Sequence, residues 1–184
     1  YGVNSAGSGF AKGASLEVLQ NGNAGGSYIP ADMYFKTSDG SSAPATRLII
    51  KADGNVGIGM TSPSNKLHIA KGAADCNIEI DCYSTTGTHT PGISMVKSDT
   101  NTVGTLAETD TDDVLGDIRF HGVDGSSLVQ GGRIYVQQTD ASESTYAPAT
   151  LYVSVGLNGN ALLTSDGKFG INAPTPAAKL HIDQ

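Results

Sequence analysis

Two of the four histidines could bind a metal ion if several copies of the chain assembled. His68 and His181 occupy the same position in two copies of the tetrapeptide KLHI. Three copies of the chain would place three imidazoles around a shared axis, and three histidines are a ligand set that zinc accepts. The alternation of side chains in KLHI predicts, however, that both histidines point away from the neighbouring leucine and isoleucine, towards solvent. We therefore expect no metal site and no cofactor.

The acidic run ETDTDDV supplies four carboxylates, those of Glu108, Asp110, Asp112 and Asp113. A calcium-binding EF-hand loop needs a glycine at its sixth position and a closing glutamate, and both are absent here, so we interpret the run as a solvated loop. Paired carboxylates also hydrolyse glycosides. The carboxylates of this chain are scattered, and it has no tryptophan to line a sugar groove. We expect that the protein is not an enzyme, and a polysaccharide hydrolase is the less favoured alternative.

Two loops rich in small polar residues are candidate binding sites for a glycan or protein of a cell surface. They are STTGTHTPG at 84–92 and QTDASESTYAP at 138–148. Tyr83, His89 and Tyr146, in or beside these loops, carry the aromatic and polar groups that would contact such a ligand, and loops on a rigid β scaffold often hold binding residues. The alternative, that both loops only connect strands, stays open.

Composition limits both the partners and the core. The formal net charge is −7 and no basic stripe is visible, which argues against nucleic acid as a partner. The longest apolar run, at 48–50, is too short to span a membrane, so we expect no membrane insertion. Only 39 of the 184 residues are Leu, Ile, Val or Phe, whereas 24 are Gly. We expect that further copies of the chain are needed to complete a core.

Alternation of apolar and polar residues is the dominant pattern, and it predicts an all-β chain of short strands and hairpins. The alternating segments are 15–20, 32–37, 77–83, 92–97, 117–122, 132–137 and 150–157. Four Asp-Gly pairs between or after them predict tight turns. Within CNIEIDCY the alternation places Cys76 and Cys82 on one face, roughly 20 Å apart. That distance excludes a disulfide between them, and we expect two buried free thiols.

One stretch of 17 residues, 53–69, returns at 166–182 with nine identical positions. Both copies predict a strand, a tight turn, one helical turn that begins at a Ser-Pro or Thr-Pro pair, and a second strand. A glycine in the middle of each first strand, Gly57 or Gly170, indicates that another backbone lies close against it. The turn position is Gly59 in one copy and Asn172 in the other, which predicts a positive φ at both.

Each copy buries only four apolar side chains, too few for independent stability. We therefore expect these residues, with the two central glycines, to pack against other copies of the chain. The predicted packing residues are Val56, Gly57, Ile58, Leu67, Ile69, Phe169, Gly170, Ile171, Leu180 and Ile182.

The sequence DGNVGIGMTSPSNKLHI strongly resembles the short repeat of bacteriophage tail-fibre proteins. The lead-in DMYFKTSDGSSAPATRLIIKADGNVGIG and the β-rich stretch that begins at GISMVKSDT support the same resemblance, which covers nearly the whole chain. The resemblance implies an elongated, intertwined, parallel homotrimer. It divides the chain into a partial β segment (1–52), a first fibre repeat (53–69), a β-rich intervening domain (70–165) and a second fibre repeat (166–182).

The function that this resemblance implies is structural and adhesive: a segment of a phage tail fibre, on the virion, that extends or presents a surface for binding a host receptor. Similar repeats occur in trimeric adhesive fibres of bacteria, so an adhesin tip on a bacterial surface, or a secreted one, is the alternative. Fibres of this kind often end in an intramolecular chaperone of the endosialidase type, whose place would follow Gln184. The chain begins at Tyr1 without a methionine, and we expect it to be a piece of a longer protein.

Overall fold

The computed structural model describes residues 2–3, 9–140, 146–156 and 159–182. These residues form strands, turns and extended segments, and no helix is found among them. The predicted all-β class is therefore confirmed. The chain divides into two compact units, Tyr1–Tyr83 and Ser84–Gln184, each with its own sheet.

The sheet of the first unit has five strands, in the order β3-β4-β5-β6-β7. Neighbouring strands are antiparallel except β6 and β7, which run parallel. A separate antiparallel ladder joins β1 to β2. The strands are β1 (Gly2–Val3), β2 (Phe10–Ala11), β3 (Ala14–Gln20), β4 (Ala31–Thr37), β5 (Ala45–Ile50), β6 (Val56–Ile58) and β7 (Leu67–Ile69).

The second unit carries a six-stranded sheet that ends in the same way, with one parallel pair. Its order is β8-β9-β10-β11-β12-β13, and the remaining neighbours are antiparallel. The strands are β8 (Val114–Asp124), β9 (Ser127–Gln138), β10 (Ala149–Val155), β11 (Gly159–Leu163), β12 (Phe169–Ile171) and β13 (Leu180–Ile182).

The two copies of the repeat fold alike. In each, an antiparallel hairpin leads into a three-residue strand, and the next strand pairs with it in parallel, with Val56 opposite Leu67 and Phe169 opposite Leu180. The turn residues Gly59 and Asn172 have φ of 74° and 54°, which confirms the predicted positive φ. Glycine also has positive φ in all four Asp-Gly pairs, which lie between consecutive strands. The predicted hairpin turns are confirmed.

The predicted one-turn helix is wrong in both copies. Residues 61–66 and 174–179 form bends with no helical turn. The connection must return from the end of one short strand to the start of a parallel neighbour in only eight residues, 59–66 in the first copy. Parallel crossovers normally use a dozen or more residues to hold a helix, and here the loop lies flat across the strand instead.

The connecting loop explains the central glycines. A Cβ on Gly57 would lie 2.7 Å from the carbonyl oxygen of Met60, and a Cβ on Gly170 would lie 2.5 Å from that of Ala173. The close backbone predicted at both glycines is thus confirmed, and it belongs to the loop that follows in the same chain. The loops cover two of the few buried apolar side chains, Ile49 and its counterpart Leu162, which pair with the two glycines.

Five of the seven segments predicted as strands coincide with strands: 15–20, 32–37, 117–122, 132–137 and residues 150–155 of the segment 150–157. The other two, 77–83 and 92–97, are wrong for the single chain, because no described strand of that chain pairs with them. Both cysteines are exposed, which corrects the prediction of buried thiols. Both errors have the same physical reason. Alternation gives a segment one apolar and one polar side, but a strand forms only where a second strand pairs with its backbone hydrogen-bonding groups.

Candidate functional site

The first sheet presents one face that is apolar except at the ends of β3 and β4, where Gln20 and Thr37 lie on it. Ladder register and the period of two place ten side chains on it: Leu16, Val18, Met33, Phe35, Leu48, Ile50, Val56, Ile58, Leu67 and Ile69. None of the ten is buried in the single chain, and Leu67 is 57% exposed. Four of the predicted packing residues, Val56, Ile58, Leu67 and Ile69, lie on this face, which we call the first apolar face.

The second sheet repeats the arrangement. Its apolar face carries Ile118, Phe120, Ile134, Val136, Leu151, Val153, Val155, Ala161, Leu163, Phe169, Ile171 and Leu180. Most of these side chains are substantially exposed. The predicted packing residues Phe169, Ile171 and Leu180 lie on this second apolar face, and Ile182 pairs with Ile171 in the ladder. Gly57 and Gly170 lie on the opposite faces, under their own loops.

The opposite face of the first sheet is polar and internally paired. Asp32, 3% exposed, accepts hydrogen bonds from the Lys51 ammonium, the Asn21 amide at 3.0 Å and the Ala52 backbone N–H at 2.9 Å. Burial by itself would raise the pKa of Asp32, but the hydrogen bonds from Lys51, Asn21 and Ala52 outweigh it and lower the pKa to about 2. The carboxylate therefore stays charged, and its hydrogen bonds link β4 to Lys51 and Ala52 in the turn that precedes β6.

The opposite face of the second sheet carries a row of charged and aromatic side chains. Asp117 accepts hydrogen bonds from Arg119 at 2.6 Å and from Arg133 at 2.9 Å. The Arg133 guanidinium lies 3.9 Å from the centre of the Tyr135 ring. Tyr135 in turn stacks on Tyr152, with ring centres 4.6 Å apart and planes 7° from parallel. The hydrogen bond from Arg133 holds the pKa of Asp117 below its ordinary value, although burial opposes this.

The three predicted ligand-contacting residues do not form one described site. Tyr83 ends the first unit, is 94% exposed and donates a hydrogen bond to Asp81. His89 belongs to the second unit, where its ring nitrogen lies 2.8 Å from the Ser84 hydroxyl. Tyr146 is exposed, and the neighbouring part of its loop, 141–145, lies outside the described residues. Their role in binding remains a prediction.

The acidic run forms a turn that is held in place from two sides. Lys97 pairs with Asp113 at 3.3 Å. The buried Gln138 accepts a hydrogen bond from the Thr109 hydroxyl at 2.7 Å and donates one to the Thr109 carbonyl at 2.8 Å. Within the described part of the chain, no group of three or more His, Cys, Asp or Glu side chains is placed to hold a metal ion. His68 lies beside the Ser64 hydroxyl of its own loop, 3.2 Å away.

Sequence reasoning missed the row of Arg133, Tyr135 and Tyr152. The signal was present, because alternation in GRIYVQ and TLYVSV puts these three side chains on the faces opposite the valines and isoleucines. What alternation does not give is the register between β9 and β10, which sets Tyr135 directly across from Tyr152.

The fold belongs to the class seen in phage tail-fibre domains. Solved structures to which the chain is similar include two of the carboxy-terminal domain of the bacteriophage T5 L-shaped tail fibre. One, solved with its intramolecular chaperone domain, matches 91% of this chain at a TM-score of 0.66 and 12% identity, and the chain spans 52% of its length. The other matches 91% of this chain at a TM-score of 0.64 and 11% identity, and the chain spans 75% of it.

No protein family and no curated protein matches the sequence. Among the described residues, no helix is long and apolar enough to cross a membrane. The structural likeness at this low identity establishes the fold, and the function is argued from the faces of the two sheets.

Proposed function

We propose that the chain is a structural segment of a homotrimeric tail fibre on a phage particle, and that it extends or presents a surface for attachment to a host cell. In this assembly the two apolar faces of each chain pack against the corresponding faces of two further copies. The observation that carries the proposal is the pair of sheets, each with one largely polar face and one largely apolar, exposed face, because a large exposed apolar patch marks an interaction surface.

The accessible surface of the chain supports this reading quantitatively. The single chain, of 18.8 kDa, exposes 13628 Å². A compact protein of that mass exposes about 8,300 Å², and even two separate compact proteins of half the mass expose about 10,000 Å² in total. The excess over the second figure is roughly 3,600 Å², several times the 800 Å² or so that each partner buries in a standard stable interface. Two partner chains supply enough surface to cover it.

The two segments that fail to form strands support the same proposal. Residues 77–83 and 92–97 keep strand-like alternation, yet neither makes a backbone hydrogen bond to any described residue. Unpaired backbone groups in an alternating segment are a template for a strand from another chain. We place these segments in ladders with neighbouring copies, which is what the intertwining implied by the sequence resemblance requires.

Sedimentation velocity of the purified chain tests the trimer. The proposal requires a particle of three times 18.8 kDa, and a particle of the single-chain mass at micromolar concentration would refute it. Hydrogen exchange on the same sample tests the strand pairing. Backbone amides of 77–83 and 92–97 should exchange slowly in the trimer, at rates comparable to those of β9. Rapid exchange of these amides in an intact trimer would refute the proposed intermolecular ladders but not the trimer itself.

Attachment and the absence of catalysis need separate measurements. A fibre segment that presents a receptor surface should bind host cells, whereas a segment that only extends the fibre should not. Incubation with host polysaccharide should release no reducing ends, because the proposal contains no hydrolytic step. Release of reducing ends would favour the polysaccharide hydrolase instead.

A further inference from the structure

A cleft on the polar face of the second sheet has the form of a ligand site. Its volume is about 160 Å³, room for about five water molecules. Tyr152 stands on one side, and the loop that follows β12 stands on the other, with Leu162 between them because it pairs directly with Tyr152. The lining residues are Tyr135, Tyr152, Asn160, Leu162, Asn172 and Pro174.

The aromatic wall of the cleft is held rigid. Tyr135 lies between the Arg133 guanidinium and the ring of Tyr152, so the stacked rings have few alternative positions. Neither tyrosine hydroxyl makes a hydrogen bond with a described residue, and the same holds for the side-chain amide of Asn160. The cleft therefore offers a flat aromatic surface together with uncharged donors and acceptors that have no protein partner.

The first copy of the repeat lacks the same wall. Tyr34 corresponds to Tyr152, since each pairs with the buried side chain under the loop, Ile49 or Leu162. The residue across from Tyr34 is Glu17, which forms an ion pair with Lys36 at 2.6 Å. A carboxylate bound to an ammonium replaces the second tyrosine ring, so the aromatic pair is confined to the second copy.

The loops of the two copies differ at the matching position. In the first copy Met60 reaches across the strand, and its Cγ would lie 3.3 Å from a Cβ on Gly57. In the second copy the corresponding residue is Ala173, which is 1% exposed and packs over Gly170, while the next residue of the loop, Pro174, lines the cleft. The loop residue that bounds the cleft, Pro174, corresponds to Thr61 in the first copy.

We propose that this cleft binds one neutral pyranose sugar of a host-surface polysaccharide. An aromatic face packs against the apolar face of a sugar ring, while amides and hydroxyls pair with its hydroxyl groups. The net charge of −7 per chain disfavours an acidic polymer, because like charges repel. The inference rests on the proposed trimer in one respect: the cleft lies on the face opposite the second apolar face, so it stays open when that face is covered.

The site is tested by titrating the full chain with methyl glycosides of glucose, galactose and mannose. Binding is measured by saturation-transfer NMR and by calorimetry. At least one glycoside should bind with a dissociation constant on the order of 1 mM, as a small ligand in a shallow site would. Tyr152→Leu, which removes the stacking surface, should weaken binding at least tenfold. The matched control is Tyr34→Leu in the first copy, which should bind as the unaltered chain does.

Three outcomes would overturn the proposal: no binding of any of the glycosides in the millimolar range, equal loss in both tyrosine variants, or, in a parallel titration with methyl glucuronide, tighter binding of this acidic sugar than of the neutral ones. Asn160→Ala changes an exposed residue at the rim of the cleft and leaves the ring stack intact, and it should also weaken binding. This second variant keeps the test valid if Tyr152→Leu fails to fold. Sedimentation of every sample keeps the two proposals separate. A single-chain particle that still binds sugar refutes the trimer alone, and a trimer that binds none refutes the cleft alone.

Discussion

Replacement of Leu67 by threonine is the most direct test of the first apolar face. Leu67 lies in β7 on that face and is 57% exposed in the single chain. Threonine is β-branched, a side-chain shape that strands favour, so the substitution removes apolar surface without opposing the local structure. The matched control is Leu19→Thr, because Leu19 is 51% exposed in β3 and pairs with Asp32 on the opposite, polar face.

The size of the effect follows from the exposed fraction. Full burial of a leucine side chain stabilises by about 1.5–3 kcal/mol, so burial of the remaining 57% in an interface contributes roughly 1.3 kcal/mol per chain. Three chains lose roughly 4 kcal/mol together, which lowers the assembly constant about a thousandfold. Since the midpoint concentration of a monomer–trimer equilibrium varies as the inverse square root of that constant, it should rise about thirtyfold.

A dilution series followed by analytical ultracentrifugation measures this midpoint. Leu67→Thr should shift it to higher concentration, whereas Leu19→Thr should shift it less than twofold or so, as surface substitutions generally do. Equal midpoints for the two variants would show that the first apolar face is not the surface by which copies associate, and the trimer argument for the first unit would fail.

Three further substitutions test local features of the fold by thermal unfolding. Gly57→Ala should lower stability by about 1–3 kcal/mol, because its methyl group meets the connecting loop, while Gly13→Ala, where nothing lies within 4 Å, should not; equal effects would contradict the packing described. Asp32→Asn should cost about 1–3 kcal/mol near neutral pH by weakening the pairing with Lys51. Because the pKa of Asp32 is lowered from 3.8 to about 2, its stabilising charge is present above pH 3.8 and is lost as pH falls towards 2. The difference between this variant and the unaltered chain should therefore shrink over that range, and a constant difference would contradict the charge argument. Asn172→Val should destabilise by about 1–2 kcal/mol because φ is positive there, and Asn172→Gly should cost less; the reverse order would count against the turn geometry.

The face pattern of both sheets could be predicted from the sequence, and the pairing partners could not. Alternation placed Leu67 and Phe169 correctly on apolar faces, since a period of two is a property of neighbouring residues. The same pattern misplaced Cys76 and Cys82, because their segment finds no strand within the described chain to pair with. The Ser-Pro and Thr-Pro pairs predicted helical turns that the short parallel connection leaves no room to form.

The amino-acid sequence by itself determined the all-β class, the positive φ at Gly59 and Asn172, and which side chains share a face. These depend on backbone preference and on residues adjacent in the chain. The tertiary structure alone decided that Tyr135 stacks on Tyr152 and that loop carbonyls press on the central glycines. Those contacts join residues distant along the chain, and they are set by ladder register and loop path, which no local pattern specifies.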